Sequence, residues 1–196
     1  MRLYVISGLI GSGKTTVSKL LQKKGFKYIS ADFEVKKILR TDNLVKEKLI
    51  NRFNDIILNN KKDISFKKLK EKLLESNKNK NNIEKIIHNQ FYKKINIYLK
   101  KTKYKKILIE IPLIETCKAI NRNYEVIMVD SKLKHRLLRK TNKTNKSITI
   151  FKKLNKLQKT RKFYKNNSNY IITNNGNMKQ LKKEFEEFYK SNILEI

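Results

Sequence analysis

The stretch GLIGSGKT, at positions 8–15, limits what this chain can fold into more than any other feature. It directly follows a short apolar run at 3–6, and it opens a segment in which Val17, Leu20 and Leu21 fall on one helical face. Strand, glycine-rich loop, Lys-Thr and helix, in that order, make a phosphate-binding P-loop in its expected setting. The glycines let successive backbone N–H groups turn inward around phosphate oxygens. The helix N-terminus adds the positive end of its dipole. Gly11, Ser12, Gly13, Lys14, Thr15 and Thr16 are the expected nucleotide-binding residues. Lys14 supplies a point charge to the β- and γ-phosphates, and the Thr15 hydroxyl is placed to ligate Mg2+. The alternative is a strand-to-helix turn that holds Gly8, Gly11 and Gly13 by chance. With every fixed position of the motif filled, the chain is expected to bind a nucleoside triphosphate.

Further apolar runs at 28–29, 107–111, 126–129 and 170–172 read as buried strands, with helical patterns between them. This alternation predicts an α/β fold: a parallel sheet covered by helices. Met178, Leu181, Phe185, Phe188 and Tyr189 keep helical spacing, and Gly176 marks the turn before them. No strong strand lies between 36 and 100. Ile83, Ile87, Phe91 and Ile95 recur every four residues there as a helical stripe, and Ser65 is placed to cap a helix carrying Leu69, Leu73 and Leu74. The expected organisation is one domain, with a core of 1–35 and 101–196 and a helical insertion at about 36–100. Ligands of an open α/β sheet sit beyond the carboxyl ends of its strands, so such an insertion could cover a second substrate. Polar Lys/Asn stretches at 76–82 and 139–147 read as mobile connections. The second falls within a lid expected at about 137–150.

Asp32, just past the second strand, is a carboxylate that could take a proton from an attacking hydroxyl, or else an N-cap for a helix over 33–39. Glu110 lies inside the third apolar run, where a lone acid is costly unless it is paired or bound to a cation. A role at Mg2+ beside Thr15 fits it; the alternative is an edge-exposed or outward-facing residue. Arg136 and Arg139 follow the fourth strand, about one helical turn apart. They could clamp a transferring phosphoryl group, or simply be solvated in a chain this basic. His88 sits in a helical pattern, and no His/Cys cluster has metal-ligand spacing.

The formal net charge is +31, from 48 Lys/Arg against 17 Asp/Glu. Such a field attracts polyanions, but a nucleic-acid site concentrates its charge on one face or tail. Here lysine is spread along almost the whole chain with asparagine and isoleucine, as an AT-rich genome would produce. A nucleic-acid partner is therefore not expected. Cys117 is the only cysteine, which excludes an intrachain disulfide. No apolar run reaches the roughly 18 residues of a bilayer span, and the N-terminus does not read as a signal peptide. No membrane association is expected; the cytoplasm is the expected compartment and a monomer the expected state.

The ordered motifs resemble those of the dephospho-coenzyme A kinase family along nearly the whole chain. They run from the P-loop at 7–16 through Ser30-Ala31-Asp32, Ile87-His88-Asn89 and Pro112-Leu113-Ile114-Glu115. Val129-Asp130, Leu133 to Arg136, Gln158, Arg161 and the stretch from Ile171 to Gly176 follow in order. The resemblance implies a P-loop kinase fold with a five-stranded parallel sheet, a helical substrate insertion and a lid. It implies ATP-dependent phosphorylation of the ribose 3′-hydroxyl of dephospho-coenzyme A, the last step of coenzyme A synthesis. In that reading Asp32 is the catalytic base and also meets the acceptor. Lys14 and Arg136 act on the phosphates, His88 lies near the acceptor, and Arg139 or Lys140 supplies the lid contact. The sequence departs from the family at Ser30 and Asn89, at Glu110 where many members carry an aspartate, and at Lys140-Thr141 where they carry an arginine-aspartate pair. Lysine keeps the charge but loses the bidentate fork. The bare residues also admit another small-molecule P-loop kinase, such as a nucleoside or nucleotide kinase, an NTP-dependent nucleic-acid-binding protein, or a degenerate kinase kept as a partner.

Overall fold

The computed structural model describes residues 1–141 and 144–194, and of Lys146 the backbone alone. Five parallel strands, β1 (Arg2–Ser7), β2 (Lys27–Ser30), β3 (Lys106–Glu110), β4 (Glu125–Asp130) and β5 (Tyr170–Thr173), form one sheet in the order β2-β3-β1-β4-β5. Parallel neighbours cannot be joined by hairpins, so helical crossovers connect them. The apolar runs at 3–6, 28–29, 126–129 and 170–172 each fall inside a strand, whereas the run at 107–111 overshoots β3 by one residue. β1 is central: the chain places β2 and β3 on one side of it and β4 and β5 on the other. A loop at the carboxyl end of β1 therefore sits where the strand order reverses, the usual ligand position of an open α/β sheet.

The sheet belongs to a compact unit made of Met1–Ser30, Tyr104–Lys118 and the described residues from Arg122 onward. On one face of the sheet, Tyr4, Ile6, Ile127 and Val129 pack with Val17 and Leu21 of α1 (Lys14–Lys23) and with Leu181 and Phe185 of α9 (Met178–Tyr189). α9 starts as the Asn174-Asn175-Gly176 turn predicts, with a capping box between Asn177 and Gln180.

The second unit comprises Ala31–Lys103 and Ala119–Asn121. It contains α2 (Ala31–Thr41), α3 (Asn43–Phe53), α4 (Phe66–Glu75) and α5 (Asn77–Lys101). Ser65 caps α4 through the Lys68 amide. Ile83, Ile87, Phe91, Ile95 and Leu99 form the buried stripe of α5. The stretch 76–82 is not a mobile connection. Ser76 accepts from the Asn79 amide at 3.1 Å, and the helix runs unbroken from Asn77. With a cap in place and no Gly or Pro in the tract, propagation from the buried stripe carries the helix back to it. Asp42 caps α3 and receives Gln90 at 2.6 Å and Lys94 at 2.8 Å, which tie α3 to α5. In the stretch 139–147, Arg139 and Lys140 close α6 (Leu133–Lys140) and Asn145 opens α7 (Asn145–Lys156); positions 142–143 of the expected lid lie outside the described residues.

Candidate functional site

The P-loop connects β1 to α1, and its three glycines all adopt positive φ: 145° at Gly8, 78° at Gly11 and 102° at Gly13. A Cβ on Gly11 would lie 2.6 Å from the Arg136 carbonyl oxygen, and one on Gly13 would lie 2.3 Å from Asn174 Nδ2. α1 starts at Lys14 behind Gly13 without a side-chain cap, and the Thr16 amide turns back to the Gly13 carbonyl at 3.0 Å; a helix start of this kind favours an anion. Lys14 Nζ donates to the carbonyls of Gly8 at 2.9 Å and Leu9 at 3.4 Å, inside the loop it would serve. Ser12 is buried and its hydroxyl has no hydrogen-bond partner among the described residues. The bare backbone cradle, the uncapped helix start and the lysine fit a nucleotide polyphosphate. Gly13→Ala is expected to lower stability by about 2 kcal/mol through backbone strain and the Asn174 clash. It should also abolish ATP binding; thermal unfolding and a fluorescent ATP analogue read the two effects.

Side chains from distant segments hold the loop. Asn174 Nδ2 donates to the Ser12 carbonyl at 2.7 Å, and Gln158 Oε1 accepts from the Ile10 amide at 2.7 Å. Arg136 is not solvated; it is only 4% exposed. Its Nε donates to the Ser131 carbonyl at 3.1 Å, and its Nη1 to the Ile10 carbonyl at 3.2 Å and Asn155 Oδ1 at 2.7 Å. Carbonyl acceptors from the P-loop, from the residue after β4 and from the Asn155 side chain on α7 thus draw the guanidinium inward, although burial lowers its pKa. Arg139 lies on the turn after β5, donating to Ser131 Oγ, to the Asn174 carbonyl and Oδ1 (each 3.0 Å), and to the Gly176 carbonyl at 3.3 Å. Lys140 is exposed, and its Cγ would lie 3.0 Å from a Gly11 Cβ.

Asp130, buried at the end of β4, receives both Arg161 Nε at 2.7 Å and Arg161 Nη2 at 2.5 Å, with Lys165 at 3.5 Å. Burial alone would raise the Asp130 pKa, but the Arg161 hydrogen bonds and the charges of Arg161 and Lys165 outweigh it and hold the carboxyl below its usual range. A depressed folded-state pKa contributes stability above the unfolded value of about 3.9, and that stability is lost as pH falls through the folded value. Arg161→Gln should therefore destabilise the protein by about 2 kcal/mol at pH 7. It should also move the acid-unfolding midpoint to higher pH, as followed by circular dichroism.

Opposite this machinery stands the acid. Glu110 is 6% exposed on β3, which is an interior strand, so the edge-exposed alternative is excluded. Its Oε1 accepts from Thr15 Oγ1 at 2.8 Å and its Oε2 from the Tyr28 hydroxyl. A hydroxyl and a carboxylate meeting beside the head of α1 are hard oxygen donors and fit Mg2+.

Asp32 and His88 belong to the helical unit. α2 begins at Ala31, one residue ahead of Asp32, so Asp32 is an exposed first-turn carboxylate rather than the cap of a helix over 33–39. His88 is half-buried on α5 with its ring edge-on to Tyr92, and burial and the Lys80 charge lower its pKa.

A sequence model of the dephospho-CoA kinase family matches residues 3–180. The chain belongs to the dephospho-CoA kinase family. A dephospho-CoA kinase of Fusobacterium nucleatum is 32% identical over 186 residues, covering 93% of this chain and 94% of the relative. One from Leptospira interrogans is 28% identical over 96% of this chain and 92% of its own length. Among solved structures, a dephospho-CoA kinase from Campylobacter jejuni matches with a TM-score of 0.65 at 22% identity, covering 97% of this chain and 96% of its own. A shikimate kinase from Bacteroides thetaiotaomicron matches with a TM-score of 0.57 at 13% identity, covering 100% and 99%. These likenesses establish the P-loop kinase fold.

As a dephospho-CoA kinase family member, the chain is a phosphotransferase that uses ATP and a small-molecule acceptor. Among the described residues, no helix is long and apolar enough to cross a membrane. The sheet-bearing unit brings together Lys14, Thr15, Glu110, Arg136 and Arg139 from the sequence-derived set. Sequence reasoning gave no part to Tyr28, and none to Asn174 beyond its place in a motif. The Asn-Asn-Gly after the last strand was a usable signal for Asn174; for Tyr28 only the pairing of β2 with β3 reveals its partner.

Proposed function

We propose that the chain transfers the γ-phosphoryl group of ATP to the ribose 3′-hydroxyl of dephospho-coenzyme A, giving coenzyme A and ADP. The observation that carries this reading is the uncapped P-loop helix with Lys14 on its first turn and Thr15 bonded to buried Glu110. The segment Gly11 to Thr16 binds the phosphates, and Lys14 leaves the Gly8 and Leu9 carbonyls to meet the charge that builds on the transferring group. Asp32 takes the proton of the 3′-hydroxyl as the new oxygen–phosphorus bond forms and the bond to the β-phosphate bridging oxygen breaks. Thr15 and Glu110 would hold Mg2+, which supplies positive charge against the β- and γ-phosphate oxygens.

Arg136 keeps the loop in its phosphate-binding shape, and its guanidinium reaches the phosphates from behind Ile10. In this reading the helical segment of about 36–100 holds the acceptor, with neutral His88 orienting it. The segment of about 137–150 is the lid, where Lys140 supplies the phosphate contact and Arg139 braces the turn beneath. The same reading has the enzyme working as a cytoplasmic monomer, with no nucleic-acid partner for its lysines. The test is ADP release with Mg-ATP and a panel of acceptors: dephospho-coenzyme A, nucleosides, nucleoside monophosphates and shikimate. Dephospho-coenzyme A should exceed the others by at least about 100-fold in kcat/KM, as expected when buried polar groups match one acceptor. Preference for a nucleoside or nucleotide would overturn the assignment.

A further inference from the structure

Glu110 is a buried carboxylate in a chain with 48 lysines and arginines, yet among the described residues it makes no ion pair. Two hydroxyls hold it instead, Thr15 on Oε1 and Tyr28 on Oε2. Strand register explains how Tyr28 gets there. Tyr28 pairs with Leu108 and Ser30 with Glu110, so Tyr28 and Glu110 lie on one face of neighbouring parallel strands, two residues apart in register. That diagonal is too long for a short polar side chain but is within the reach of a phenol. Glu110 has three side-chain torsions to fix, one more than an aspartate would bring, so a carboxylate this long needs a second anchor to present a defined oxygen.

We propose that Tyr28 is a positioning residue for the metal-binding acid. Its hydroxyl fixes Oε2 of Glu110 so that Oε1, together with Thr15 Oγ1, faces the divalent cation. Tyr28 itself does not touch the cation. The inference rests on Glu110 being a Mg2+ ligand, as read above. Residues that orient a ligand from behind typically change metal affinity by about 10- to 100-fold when removed. Tyr28→Phe keeps the ring and therefore the packing of β2, and loses only the hydroxyl.

The experiment measures Mn2+ affinity by the loss of the free-ion electron paramagnetic resonance signal, with a non-hydrolysable ATP analogue bound. The Mg2+ concentration for half-maximal activity is measured beside it. Y28F should weaken Mn2+ binding by about 10-fold and raise the Mg2+ requirement by a similar factor, with kcat at saturating Mg2+ changing less than about threefold. Glu110→Asp withdraws the carboxylate from the phenol and has one torsion fewer to fix, so adding Y28F to it should change nothing further. Unchanged Mn2+ affinity in Y28F while Glu110→Gln weakens it would overturn the role of Tyr28. Equal, additive losses in the double variant would do the same. Unchanged affinity in Glu110→Gln would instead remove the metal assignment on which the inference stands. Should Y28F fail to fold, Tyr28→Leu, which keeps an apolar strand residue without the hydroxyl, takes its place, and unchanged Mn2+ affinity there would likewise overturn the role.

Discussion

Replacing Lys14 with alanine is expected to lower kcat by about 100- to 1,000-fold while leaving the melting temperature nearly unchanged. In the structure the Lys14 ammonium rests on the Gly8 and Leu9 carbonyls at 2.9 and 3.4 Å. Both bonds are only part-buried, so water can replace the lysine there at little cost. The loss falls instead on the transition state, where a localised positive charge beside the migrating phosphoryl group has no substitute in the loop. Lys14→Arg should rescue little, because the planar guanidinium does not match the place of a compact ammonium between two carbonyls. Steady-state ADP release and differential scanning calorimetry separate the two quantities. A fall in melting temperature that accounts for the lost activity would contradict this assignment.

Asp32→Ala should lower kcat by about 100- to 10,000-fold, the range of a lost general base, with ATP affinity unchanged. Asp32 is exposed on the first turn of α2, and α2 starts ahead of it, so the carboxylate has no capping duty to lose. An aspartate on a first turn is mildly favourable to the helix dipole, and its removal should cost stability only about 0.5 kcal/mol. The predicted pattern is therefore a near-silent fold change with a large kinetic one. Asp32→Asn keeps size and polarity but cannot accept the proton, so it should behave like alanine in kcat. An active Asp32→Asn would show that the residue positions the hydroxyl rather than deprotonating it.

What the sequence revealed was local, and what it hid was assembled from a distance. The strand, P-loop and first helix were legible because the motif, the apolar run before it and the amphipathic face after it lie within one stretch of chain. The Ser65 cap and the α5 stripe were legible for the same reason. Residues 76–82 were not, because Lys and Asn carry no apolar period; only the Ser76 cap and the stripe that follows make the tract helical. Arg136 looked ordinary in so basic a chain. Its burial depends on the Ile10 carbonyl of the P-loop, the Ser131 carbonyl after β4 and the Asn155 amide of α7 meeting at one point, which no sequence window contains. Tyr28 was read only as part of a strand, and its bond to Glu110 follows from β2 pairing with β3 in a register that the sequence does not print. The Gly13 requirement was visible as a motif, but the reason for it, the Asn174 amide packed against the loop, was not.

Everything above turns on transfer of phosphate from ATP to the ribose 3′-hydroxyl of dephospho-coenzyme A. The most direct test is the phosphorus NMR spectrum of the product formed from dephospho-coenzyme A and Mg-ATP. A new phosphomonoester resonance coupled to the ribose 3′ proton should appear in step with ADP, and at least about 100-fold more slowly with Asp32→Ala. ADP formed without that resonance, or no turnover by a folded protein that binds ATP, would contradict it.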